Sequence, residues 1–231
     1  GGGVRAGYCL TLRSALRVGV TTRGGRANFG WIARAGWGIY VEAWDHGYEV
    51  FDLKDAGEGV MVRSNYSYSG GKDGRLGEVR HDNAVALLEE PVAGRSVTPL
   101  TLTEGLSRSF YNARLGRDML SGDERWIEDR GEMIPRWSSC ASVVIEGGVT
   151  GEMPVMWVAI GFPVLAETVK VTMDGDVPEG LLPSGKGHRS ALCDRAVRMR
   201  DRVMPRKGKN GKRLFDARLL RELLDYNGSE E

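Results

Sequence analysis

Residues 27–69 read ANFGWIARAGWGIYVEAWDHGYEVFDLKDAGEGVMVRSNYSYS, and no other stretch limits the fold so strongly. Phe29, Trp31, Trp37, Ile39, Val41, Val50, Phe51, Val60 and Val62 fall in short β-branched and aromatic runs. Ala35-Gly36, Asp45-His46-Gly47 and Gly57-Glu58-Gly59 separate them. Alternation of period two between glycine- and aspartate-bearing breaks predicts a meander of four strands. The fourth run, VMVRSN, would deliver Asn65 at a strand end, where an amide side chain is held rigidly and still reaches a ligand.

Composition narrows the classes. With 231 residues, 41% of them hydrophobic, the chain is long enough for one substantial core, and a single domain over residues 1–231 is expected. Thirty-two Lys and Arg against 31 Asp and Glu leave a net charge of +1, which gives no strong field for nucleic acid or an anionic membrane. No apolar run approaches the ~20 residues that span a bilayer, and no signal peptide opens the sequence, so a soluble chain is expected, with its compartment open. Homo-oligomerisation is also open.

Three cysteines, Cys9, Cys140 and Cys193, are odd in number and widely spaced, which argues against a paired disulfide framework and against a CxxC metal motif. They read as buried thiols that behave as small hydrophobes. His46, His81 and His188 share no HxH or HxxxH spacing, so neither metal nor cofactor is expected. GLLPSGKG, residues 180–187, nearly fits a phosphate-binding loop but has Gly187 where a magnesium-binding hydroxyl is required.

Along the chain, a short helix is expected over residues 4–18. Polar, glycine-rich YSYSGGKDGRLG after Asn65 reads as a loop beside the site. In it Tyr66 and Tyr68 are candidates for substrate contact, since an amphipathic ring packs on an acyl group while its hydroxyl stays wet. A helix is predicted over residues 78–90, with Arg80 in its opening turn and Pro91 ending it. A second, capped by Thr101 or Thr103, would carry Leu102, Leu106, Phe110 and Tyr111. Strands are predicted at 141–146, 156–160 and 168–173, a helix over 188–204, a basic loop over 206–213 and a last helix from Leu214 to near Gly228. The pattern alone gives α+β.

Two sets of motifs, in this order and spacing, carry a resemblance. The glycine-punctuated NFGWIARAGWG hairpin is followed by YEVFD and VMVRSN. Further on, SSCASVVIEG is followed by PVMWVAIGFP. Together they resemble the cysteine-nucleophile N-terminal nucleophile (Ntn) hydrolases, above all the isopenicillin N acyltransferase-like linear amide hydrolases, and more distantly choloylglycine hydrolase and penicillin V acylase. The resemblance implies a four-layer αββα sandwich, here without its nucleophile strand. It also implies a hydrolase or acyltransferase acting on a small linear, non-peptide amide. Asn65 would then be the oxyanion-hole donor, and Arg80 would pair with a substrate carboxylate or hold a catalytic aspartate. Because the opening Gly1-Gly2-Gly3 offers no Cys, Ser or Thr, the N-terminal cysteine is expected upstream of Gly1, and turnover by this chain alone is doubtful. The alternative is a non-catalytic binding protein or a remnant with the same fold.

Overall fold

The computed structural model describes residues 27–32, 38–44, 47–65, 76–148, 151–184 and 189–227. The chain forms two compact units, Gly1–Glu78 and Val79–Glu231. Its mixture of helix with open antiparallel sheets is α+β.

In the first unit β1 (Ala27–Ile32), β2 (Gly38–Trp44) and β3 (Gly47–Asp52) form an antiparallel meander. Its register runs Phe29 to Val41 to Val50. The central strand is buried on both faces, by Ile39 and Val41 on one side and Glu42 on the other. Three of the four expected strands therefore form, and the fourth does not. Residues 60–64 are irregular, although Val60 has extended dihedrals (φ −125°, ψ 136°), and Asn65 sits in a bend. Side-chain packing holds this segment instead of a ladder. Arg63 lies over the rings of Phe51 (4.8 Å) and Tyr40 (5.7 Å), which are cross-strand partners on one face.

Helix α1 (Leu76–Ala93) is longer than expected, and Pro91 lies inside its last turn. A proline there loses only one late hydrogen bond. The helix ends instead in a left-handed cap at Arg95 (φ 51°), where the Ser96 N–H donates to the Pro91 carbonyl (2.8 Å) and the Arg95 N–H to Val92 (3.0 Å).

Among the described residues the second unit contains two three-stranded antiparallel sheets and a two-stranded one. The two-stranded ribbon is β4 (Tyr111–Asn112) with β5 (Arg117–Asp118). The helix expected after Thr101 forms over residues 99–108 with a wide segment at Thr101–Leu106, and Phe110 and Tyr111 fall beyond it. β6 (Trp126–Glu128) is followed by β7 (Ala141–Glu146), β8 (Val155–Ile160) and β9 (Thr168–Thr172), the last three close to the predicted spans. Helix α2 (Ala191–Val203) starts at Ser190, whose hydroxyl accepts from the Cys193 N–H at 3.2 Å.

β10 (Arg206–Lys207), β11 (Arg213–Asp216) and helix α3 (Ala217–Asn227) close the described chain. Leu214 and Phe215, expected at the head of the last helix, are therefore in a strand. Asp216 divides the two elements, since its Oδ1 accepts from the Leu219 N–H at 3.2 Å and caps α3. β11 pairs with β6, placing Phe215 opposite Ile127. Phe110, Phe162 and Phe215, all fully buried, form the centre of the core with Val203, Met204 and Leu220. Phe110 meets Phe215 edge-on at 5.0 Å.

The β7–β9 sheet has two unlike faces. Ser142, Ala159 and Thr168, aligned across it, meet helical elements: Ser142 bonds Ser107, Thr168 bonds Thr103, and Ala159 clusters with Ala166 and Ala196. The other face carries Val143, Val158 and Val169, then Ile145, Met156 and Val171. Val143 and Ile145 are more than half exposed.

Candidate functional site

Asn65 is exposed in the first unit. Its neighbour Ser64 donates a hydrogen bond to the carbonyl of Gly77, which fixes the segment to the first turn of α1. Tyr40, below Arg63, has its phenol pKa pushed up to about 12, by burial first and then by the Glu42 carboxylate, with Arg63 opposing. Tyr66 and Tyr68 lie outside the described residues, as do Cys9, His46 and His188.

Arg80 belongs to the second unit, one turn into α1, and is buried with 7% of its surface exposed. It lies on the inward stripe of the helix with Val79, Asn83, Ala84 and Leu88, all buried. Its guanidinium donates to the carbonyl of Gly131. Burial pushes its pKa down to about 10, Arg136 adds to the depression, and Asp129 opposes it.

The loop facing this stripe is built around Asp129. One of its oxygens accepts from the Gly131 N–H (3.1 Å) and the other from the Trp137 N–H (2.7 Å). Both oxygens are thus engaged by backbone, and the Nε of Arg136 is buried without a hydrogen-bond partner. Asn83, fully buried, donates to the Glu132 carbonyl (2.9 Å) and accepts from the Ala113 N–H (2.7 Å). Trp137 closes the loop between two guanidiniums, Arg200 at 3.7 Å and Arg213 at 3.8 Å from its ring centre.

Arg80 thus feels the repulsion of Arg136 and the attraction of Asp129, whose two oxygens each accept one backbone N–H. Reading by composition passed over Asn83, Asp129 and Arg136. The available signal was a polar residue on an apolar stripe, since Asn83 is four residues from Val79 and Leu87 in a helix.

The thiols differ from expectation. Cys140 is exposed and Cys193 is half-buried, and both are free. The carbonyl of Cys140 accepts from the Gly161 N–H at 2.8 Å, so the entry to β7 is fixed through backbone while the residue stays at the surface. The His81 ring meets its chain neighbour Asp82 at 3.3 Å. Among the described residues no group of three His, Cys, Asp or Glu could hold a metal ion, and no helix is long and apolar enough to cross a membrane. The chain matches no family model, no curated protein and no solved structure.

Proposed function

We propose that this chain is part of an Ntn-type αββα sandwich whose whole polypeptide hydrolyses, or transfers the acyl group of, a small linear amide. The observation that carries the reading is Arg80, a guanidinium kept buried beside Arg136 and below its ordinary pKa. Charges held at an electrostatic disadvantage cluster where ligands of opposite sign are met. The β7–β9 sheet supports the same architecture, because a sheet with helices on one face and an all-aliphatic second face has the form of an inner layer.

In this reading an N-terminal cysteine thiolate attacks the amide carbonyl. Asn65 donates its side-chain N–H to the oxyanion that forms. Collapse breaks the C–N bond, the amine leaves with a proton from the cysteine's own α-ammonium, and water or an acceptor amine resolves the thioester. Arg80 either holds a carboxylate of the substrate or fixes a catalytic aspartate.

Asn65→Ala in the whole polypeptide, assayed on an N-acyl nitroanilide, is expected to lower kcat by ~100- to 1000-fold, the usual effect of removing one oxyanion donor. Mass spectrometry on the same protein should find the acyl group on an N-terminal cysteine. Turnover of Asn65→Ala near wild type overturns the assignment. Amide binding with no acyl-enzyme and no turnover identifies a binding protein instead.

A further inference from the structure

The second unit contains a cavity of about 370 Å³ that plays no part in the reaction proposed above. This is the size range of small-molecule sites. Its floor is apolar, with Met119, Ile127, Met133 and Leu214, and its polar wall carries Glu124, Glu128 and Glu132 against the single cation Arg130. Two of these carboxylates are already matched. Glu124 meets Arg117 at 3.3 Å, and Glu128 meets Arg130 at 3.5 Å and Lys212 at 3.6 Å.

Glu132 is different. Its Oε2 accepts from the Asn112 amide at 3.3 Å, and its Oε1 meets no donor and its carboxylate no cation among the described residues. Its backbone carbonyl is held by the fully buried Asn83, and Asn112, 3% exposed, is itself fixed by accepting the Leu115 N–H at 3.2 Å. The carboxylate is therefore positioned by two buried amides over an apolar floor, with one oxygen directed to no cation among the described residues. Trp126, also in the wall, already stacks on Arg125 (5.0 Å) and Arg206 (5.2 Å), so a ligand's charge is directed to Glu132 rather than to the indole.

We infer that this cavity binds a primary ammonium group carrying an apolar chain, with Glu132 as the acceptor of the ammonium and Asn112 as the residue that positions it. The inference does not depend on amide cleavage, because the site lies within the second unit and its test reads binding alone.

The test is calorimetric titration of the 231-residue chain with n-hexylammonium chloride, with 1-hexanol and sodium hexanoate as controls of equal chain length. Hexylammonium should bind and hexanoate should not. Glu132→Gln, which retains an acceptor for Asn112, should weaken hexylammonium by ~10-fold or more, as the loss of a charge-assisted hydrogen bond does, and should leave hexanol unchanged. Leu115→Trp, which fills the cavity from a wall residue 56% exposed, should abolish binding. Equal binding of hexanoate, no binding of hexylammonium to the wild type, or undiminished binding by both variants overturns the inference.

Discussion

Replacing Arg80 with methionine tests whether this residue is retained for stability or for chemistry. Methionine fills much of the same volume without the charge. The guanidinium is 7% exposed and its pKa is pushed down to about 10, by burial before all else. At about 1.4 kcal/mol per pH unit, holding the charge in that position costs ~3 kcal/mol relative to a solvated guanidinium. Against this, the variant removes the contacts of the guanidinium, the hydrogen bond to the Gly131 carbonyl among them, a loss of ~1–2 kcal/mol. Arg80→Met should therefore be more stable than wild type by ~1–2 kcal/mol, while amide cleavage by the whole polypeptide falls by at least ~10-fold.

The pH dependence has a definite sign. A base whose folded pKa is lowered destabilises the fold fully below that pKa, and the deficit is relieved as pH rises above about 10. The stability gap between variant and wild type should thus be constant near neutral pH and narrow in alkali. Urea denaturation followed by circular dichroism, at neutral pH and above pH ~10, measures both. A variant less stable than wild type by more than ~1 kcal/mol would show that Arg80 is a structural strut and refute the argument.

Other perturbations probe the frame around the site. Phe215→Ala, at the fully buried junction with Phe110 and Phe162, should lower stability by ~3–5 kcal/mol with an unchanged urea m-value, and a loss under ~1 kcal/mol would contradict its placement. Gly161→Ala should cost ~2–4 kcal/mol, since φ is +100° there and a Cβ would stand 2.7 Å from the Ala196 Cβ and 2.9 Å from the Cys193 carbonyl. A thermal melt matching wild type would contradict that crowding. Phenolate absorbance of wild type minus Tyr40→Phe should titrate near 12, and the stability linked to it is present below ~10 and lost as pH rises through about 12. A titration near ~10 would mean that the Tyr40 ring is solvated.

The legible part of the fold was the part with local periodicity. SVVI, WVAI and VKVT alternate in short β-branched runs, and β7, β8 and β9 form there. Ser190 before an amphipathic run with Asp194 in its first turn marks α2 in the same way. VMVRSN alternates equally well, but a strand requires a neighbour, and Arg63 lies across the rings of the sheet where a ladder was expected. Leu214 and Phe215 fit the helical spacing of the leucines after them, and only the Asp216 cap separates strand from helix. The setting of Arg80 was least visible, because a buried guanidinium is defined by Gly131, Asp129 and Arg136, some fifty residues away along the chain.

The position of Trp137 between Arg200 and Arg213 has a consequence for biosynthesis. A chain leaves the ribosome N-terminus first, and contacts of large sequence separation form only after both ends have emerged. Among the described residues β6 has no partner until β11 has been translated, and Trp137 lacks the second of its guanidiniums, Arg213, until the same late stage. Phe110, Ile127 and Phe162 therefore wait, uncovered, for Phe215. A nascent chain stalled before Arg206 leaves that apolar surface without the cover that Phe215 and Leu220 supply in the finished fold.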